Sequence, residues 1–327
     1  MRRFAITISL AVATTGCNAL STPDQDHLRT FSGHSDSVCS VALSPNGKQI
    51  VSGGADGKIK FWEVESGQCL RTLDGHTEWV QSVALSADGR FLASGGRDAL
   101  VKLWHLESGE QRKTFVGHSE LVKSVAYSPD GRLLASCGRG SSIMIWDVAS
   151  GECLKTLDSG GFFTASAVKF SADSKRVLFA GDALQLWDVE AGECLLTFEG
   201  HSDSIGTIAM SGDGTLIASG GSYTDRTIRL WDPETGDCLW KKAFTEREGS
   251  AWSLVFVSEG NILVSGHHSG AIRYWDVKSG KHLRTINAHS GAVSSLSADI
   301  KGRYLVSGGW DNSIKLWKVS SGEAAGQ

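Results

Sequence analysis

Tryptophan recurs along this chain at Trp62, Trp104, Trp146, Trp187, Trp231, Trp275 and Trp317, with spacings of 42, 42, 41, 44, 44 and 42 residues. A self-similar period of that size constrains the fold before any local motif does, because each repeat must be one supersecondary unit that buries its face against the next. Within the copy from Gly75 to Trp104, a Gly-His turn leads to an alternating run in which Val80, Ser82 and Ala84 are expected to face one way. An Ala-Asp-Gly turn, a second apolar run, a Gly-Gly-Arg-Asp turn and a third run ending in Trp104 follow, and a fourth run covers Gln111 to Phe115. Short runs of period two, separated by Gly and Asp turns, are antiparallel strands. The chain therefore reads as seven copies of a four-stranded sheet.

Trp-Asp itself stands at Trp146-Asp147, Trp187-Asp188, Trp231-Asp232 and Trp275-Asp276. With that dipeptide, the period and the recurring Gly-His, the chain resembles the WD40 repeat proteins over roughly residues 26 to 320. The resemblance implies an all-β, seven-bladed β-propeller around a central channel. Asp26 to Phe31, DHLRTF, matches the fourth-strand runs QCLRTL and ECLKTL, while the last repeat stops after its third strand at Trp317. The N-terminal strand is thus expected to complete the last blade and close the ring, and its loss to destabilise the whole ring.

The resemblance also implies a buried relay in which the indole N–H donates to Ser, Ser to His and His to Asp. It maps onto His34, Ser52, Asp56 and Trp62 in blade one, His76, Ser94, Asp98 and Trp104 in blade two, and His289, Ser307, Asp311 and Trp317 in blade seven. Blade five keeps it in His201, Ser219, Asp225 and Trp231, with two extra residues in the turn. Blade three offers Gly140 where Asp belongs, blade four has lost Gly-His, and blade six lacks the histidine and has Ser269 for Asp, so these three are expected to be softer. Repeated Ser, His and Asp of this kind are wall residues rather than a hydrolase triad, since a catalytic triad has no use in several copies.

Residues just before the relay Asp, and just before each first strand, are expected to face one end of the channel. Around the ring these are Ser37 and Ala55, Trp79 and Arg97, Leu121 and Arg139, Phe162 and Phe163, Ser204 and Thr224, Ala251 and His268, and Ala292 and Trp310. Trp310, Trp79, Arg97, Leu121, Arg139 and Phe162 form an arc across blades seven to four that folding does not require. Aromatic and Arg side chains dominate interface energetics, so the arc reads as a site for a protein or peptide partner. His267-His268 has no third ligand at a usable spacing and reads as a solvated or partner-facing turn, not a metal site. No P-loop, dinucleotide fingerprint or nucleophile elbow occurs. The expectation is a non-enzymatic scaffold without cofactor and with a monomer favoured; the alternative is a hydrolase or lyase using the channel mouth.

A net charge of −4 with no basic run gives no reason for nucleic-acid binding. Residues 1 to 16 have a charged start and a short apolar run, too short to span a bilayer but suited to a signal peptide. Thr15-Gly16-Cys17 resembles the end of a bacterial lipoprotein signal, which implies lipidation at Cys17, a polar tether over residues 17 to 25, and export to a membrane, the outer one if there are two. Residues 321 to 327 read as a flexible tail. Cys69, Cys153, Cys194 and Cys238 fall at one position of different blades, beyond the roughly 7 Å Cα limit for a disulfide. With Cys39 and Cys137 they are expected to be buried, unpaired thiols. Six free thiols sit at odds with an oxidising compartment, which keeps a cytoplasmic location as the alternative.

Overall fold

A computed structural model describes residues 26–140, 142–158, 165–299 and 301–319. They form seven antiparallel four-stranded sheets, six of them in sequence order and the seventh completed by the first strand of the chain. Blade two, for instance, consists of Val80–Leu85, Phe91–Gly96, Val101–His105 and Gln111–Phe115. The first strand of each blade packs between those of its two neighbours, so seven inner strands line a common axis.

Closure comes from the strand His27–Ser32, which pairs with Ser313–Lys318 in the register Phe31↔Ile314 and Ser32↔Ser313. Phe31 is thereby buried against the edge of Trp62 at 6.0 Å. The same contact, Phe115 against Trp146 at 5.5 Å, occurs where the chain is continuous. The strand therefore both completes blade seven and covers the flank of blade one.

The core is divided into seven apolar clusters, one at each seam between adjacent blades. At four seams the first valine of an inner strand sits on a glycine of the preceding blade: a Cβ at Gly53, Gly95, Gly266 or Gly308 would come within 2.7 Å of Val80, Val122, Val293 or Val38. Between blades three and four the volumes are exchanged, with the larger Cys137 packed in one cluster with the smaller Ala165. A second device ties the seams. Val83 N–H donates to Ser40 Oγ, Val125 to Ser82, Val168 to Ser124, Leu296 to Ser253 and Val41 to Ser295, at 2.8–3.2 Å. Ala167 holds that serine's place in blade four and has no hydroxyl to offer.

Two expectations need correction. Val80, Ser82 and Ala84 do not share a face: the register of blade two jumps from Val80↔Gly96 to Ser82↔Gly95. Gln81 is therefore a bulge residue, and Val80 and Val83 are buried together at the seam with blade one. The bulge recurs in blades one, three, five, six and seven. Nor are the outer cysteines buried. Cys69, Cys153, Cys194 and Cys238 are exposed, because the fourth strand is the open edge of each blade, whereas Cys137 is buried; all six described cysteines are free.

Phe31→Ala is expected to cost about 3–5 kcal/mol, the usual range for emptying a buried phenylalanine site, and to match Phe115→Ala. Equilibrium denaturation of the two variants measures this, and a silent Phe31→Ala would show that closure contributes little to stability.

Candidate functional site

The site is built outward from the relay, because the relay holds the turns that carry it. In blade two, Trp104 Nε1 donates to Ser94 Oγ at 2.9 Å, His76 Nε2 lies 2.8 Å from the same hydroxyl, and His76 Nδ1 lies 2.8 Å from Asp98 Oδ1. Blades one, five and seven repeat this with His34, His201 and His289 between Ser52, Ser219 and Ser307 and Asp56, Asp225 and Asp311. The indoles of Trp62, Trp231 and Trp317 donate to those serines at 2.8–2.9 Å. Asp98 also accepts from the amides of Thr77 and Leu100. The relay thus fastens the turn containing Arg97 to the turn containing Trp79, and Arg97 N donates to Trp79 O at 3.0 Å.

The interrupted blades differ from expectation in instructive ways. Blade six does have a relay histidine: His267, fully buried, comes from the second strand itself and lies 2.8 Å from Ser265 Oγ, to which Trp275 donates. His267 is therefore part of the wall rather than a solvated turn, and only His268 reaches the surface. The two imidazoles face different environments, one inside the wall and one at the surface. In blade three, His118 bonds Ser136 at 2.7 Å, but its Nδ1 has no hydrogen-bond partner among the described residues. In blade four, Phe179 occupies the serine position and Trp187 donates to Gln185 instead, at 3.2 Å.

Burial lowers the pKa of His34, His76 and His201, against the opposing pull of the paired carboxylates. His118, with no carboxylate, is lowered to about 4, and His267 to about 3, by burial foremost. For Asp56, burial alone would raise the pKa, but the hydrogen bond from His34 and backbone amides hold it below its ordinary value. In blades one and five the relay is therefore a neutral imidazole donating from Nδ1 to an ionised carboxylate and accepting from Ser at Nε2.

Above this frame lies a cavity of about 560 Å³ at one end of the channel, bordered by Trp79, Arg97, Lys123, Tyr223, Trp252 and Trp310 among others. The Arg97 guanidinium stacks 3.6 Å from the Trp79 ring centre. Trp252 meets Trp310 edge-to-face at 4.7 Å and His268 at 5.1 Å, and its Nε1 donates to Ser250. Trp310 is 47% exposed and Tyr223 70% exposed. Below the mouth a channel of about 450 Å³ runs between the inner strands.

Of the arc read from the sequence, Trp79, Arg97 and Trp310 meet at this cavity. Leu121 and Arg139 face each other across the blade-three turn, Arg139 N donating to Leu121 O at 3.1 Å, but border neither cavity nor channel, where blade three contributes Lys123. Phe162 and Phe163 lie outside the described residues, as does Cys17. In blade six the partner of His268 across the turn is Ser250, and in blade five Ser222 pairs with Ser204, so Ala251 and Thr224 were one and two positions out. That displacement hid Trp252 and Tyr223. Trp252 occupies the bulge position, the column formed by Cys39, Gln81, Lys123, Gly206 and Ser294 in other blades.

The WD domain, G-beta repeat family model matches residues 25–63, 67–105, 109–147, 192–232, 238–276 and 280–318. The stretch left between the third and fourth matches is blade four, which has lost the relay residues. A segment of 103 residues is 35% identical to the Lissencephaly-1 homolog of Caenorhabditis briggsae, covering 31% of this chain and 25% of that protein. Thirty-eight residues are 53% identical to periodic tryptophan protein 2 of Saccharomyces cerevisiae, covering 12% of this chain and 4% of that protein. Forty residues are 42% identical to ribosome biogenesis protein bop1-A of Xenopus laevis, covering 12% and 6%. These matches span a quarter or less of each relative's length.

Because unfolded histidine takes up a proton near 6.5 and His118 and His34 do so only lower, the native state is fully favoured above that value, loses stability as pH falls from about 6.5 towards the lowered pKa values, and loses no more from these groups below them. His118 alone should cost about 1.5 kcal/mol between pH 6.5 and pH 5. Denaturation curves at pH 7 and pH 5 test this. A flat profile, or one whose slope is unchanged in His118→Gln, contradicts neutral buried histidines.

Proposed function

Because the chain belongs to the WD40 repeat family, we propose that it is a non-enzymatic interaction platform that receives a peptide or protein segment at the channel mouth. The observation that carries this reading is the gathering of Trp79, Trp252, Trp310, Tyr223 and Arg97 at a cavity that packing does not require them to border. The volume of about 560 Å³ lies within the range of ligand pockets, and exposed tryptophan is the side chain most often found as an interface anchor. The cavity's described lining carries Arg97 and Lys123 but no carboxylate. Cys39, which also borders it, is held as a thiol, burial pushing its pKa up to about 12. Such a surface suits recognition better than acid–base or nucleophilic chemistry.

The leader adds a second element to the proposal. Residues 1 to 16 act as an export signal and Cys17 as the site of lipid attachment, which would tether a propeller over residues 26–320 to a membrane surface. The motif Thr15-Gly16-Cys17 and the apolar run before it support this reading.

Two measurements test the proposal. Trp79→Ala combined with Arg97→Ala is expected to weaken capture of copurifying proteins by roughly thirtyfold or more, the loss of about 2 kcal/mol typical of an anchor; unchanged capture would place recognition elsewhere. In cells fed a radioactive fatty acid, the chain is expected to be labelled and Cys17→Ala not; equal labelling would remove the tether.

A further inference from the structure

The bulge in six of the inner strands turns one side chain toward the axis, and in blade three that side chain is a lysine. Lys123 occupies that position in blade three and borders both the mouth and the channel beneath it. Lys169 lies on the next inner strand, Ala167–Phe170, three residues further down by repeat register, and opens into the same channel. At about 3.3 Å per residue the two ammonium groups are rooted roughly 10 Å apart along the axis. Arg97 stands above them at the mouth. Among the described residues neither lysine nor Arg97 has an ion-pair partner, and the Arg97 guanidinium stacks on the Trp79 ring. Asp299, the one described carboxylate bordering the channel, is buried and already accepts from Arg303 Nε, Arg303 N and Tyr304 N; Lys169 also borders an adjoining cavity of about 680 Å³, where Asp213 and Glu259 join Asp299.

We propose that this channel is a binding site for an acidic peptide segment, inserted along the axis so that its carboxylates meet Arg97, Lys123 and Lys169 in succession. The inference rests on the mouth being the recognition face and specifies what that face admits. Three cations at different depths do not converge on one point, so they suit an extended polyanion rather than a compact anion. Part of the wall is small and hydroxylic, with Ser82, Ser124, Ser166, Gly206 and Ser294 leaving room for a backbone, beside larger side chains such as Gln81 and Trp252. Unopposed cations in a low-dielectric enclosure also focus the field along the axis. Desolvation, with Arg139 and Arg97 adding to it, lowers the pKa of the half-buried Lys123, and an anion beside it offsets that effect.

The test is a titration of the full chain with a synthetic peptide of about eight residues rich in glutamate and ending in a free carboxylate. Its lysine-containing counterpart, inorganic phosphate and tripolyphosphate serve as comparison probes. The glutamate peptide is expected to bind, to weaken as salt is raised, and to lose roughly tenfold in affinity in Lys123→Gln and in Lys169→Gln. Lys169→Arg, which keeps the charge, should restore binding and guards against a folding defect in the glutamine variant. Equal affinity for the two peptides, or no change in Lys169→Gln, would overturn the proposal. Tripolyphosphate or phosphate binding more tightly than the peptide would replace it with a compact anion site. If Trp79→Ala weakens partner capture while Lys169→Gln leaves the glutamate peptide unaffected, the mouth reading stands and the channel ladder alone fails.

Discussion

The ring depends on one repeated contact, in which the first large apolar residue of an inner strand fills the space left by a glycine in the blade before it. Val80 over Gly53, Val122 over Gly95, Val293 over Gly266 and Val38 over Gly308 leave no room for another carbon. Interiors are packed densely enough that such a site accepts only paired changes, and the seam between blades three and four shows one: Cys137 with Ala165. Because the contact joins successive blades, it reaches full value only when the last blade meets the first. Phe31 and Val38, near one end of the chain, share a cluster with Val306 and Leu316, near the other. Closure is thus the seventh instance of the same seam rather than an added clasp.

Polar bonding complements that packing without replacing it. Each relay takes a tryptophan, a serine and a histidine into the wall and leaves their hydrogen bonds satisfied, which is the condition for burying them at low cost. Its mechanical result is at the surface, where the carboxylate of Asp98 holds the turn that presents Arg97. Blade six rebuilds the buried part by another route, since His267 on the second strand reaches Ser265 as His76 reaches Ser94 from a preceding turn, but its Nδ1 faces Gly249 O rather than a carboxylate. Blade three retains the bond to serine and leaves one nitrogen of His118 unpartnered among the described residues, so its turn, with Gly140, lacks the carboxylate that anchors the others.

The bulge translates repetition into chemistry. Seam positions must be apolar and small in alternation, and relay positions are committed to one another. The residue at the bulge is outside the relay and differs between blades: Cys39, Gln81, Lys123, Gly206, Trp252 and Ser294. The mouth owes Trp252 and Lys123 to this column and Trp79, Arg97 and Trp310 to the turns fixed by the relay. The side chains that distinguish the mouth therefore collect where the fold makes the fewest demands.

Much of this was legible in the chain alone. The period of the tryptophans determined the number of sheets, the likeness of DHLRTF to the other fourth strands determined how the ring closes, and the spacing of His, Ser and Asp marked the relay in blades one, two, five and seven. Those features are local or strictly periodic, so sequence distance stands in for distance in space. What the tertiary structure decided is non-local. A one-residue bulge reverses which side chains of Val80–Leu85 face the seam, a histidine two residues from Ser265 replaces one a turn away, and Trp252 meets Trp310 from a neighbouring blade. Alternation in a single strand cannot register an inserted residue, and repeat alignment cannot see that a different backbone position reaches the same point. The axis where Lys123 and Lys169 share one channel exists only once seven separate strands have come together.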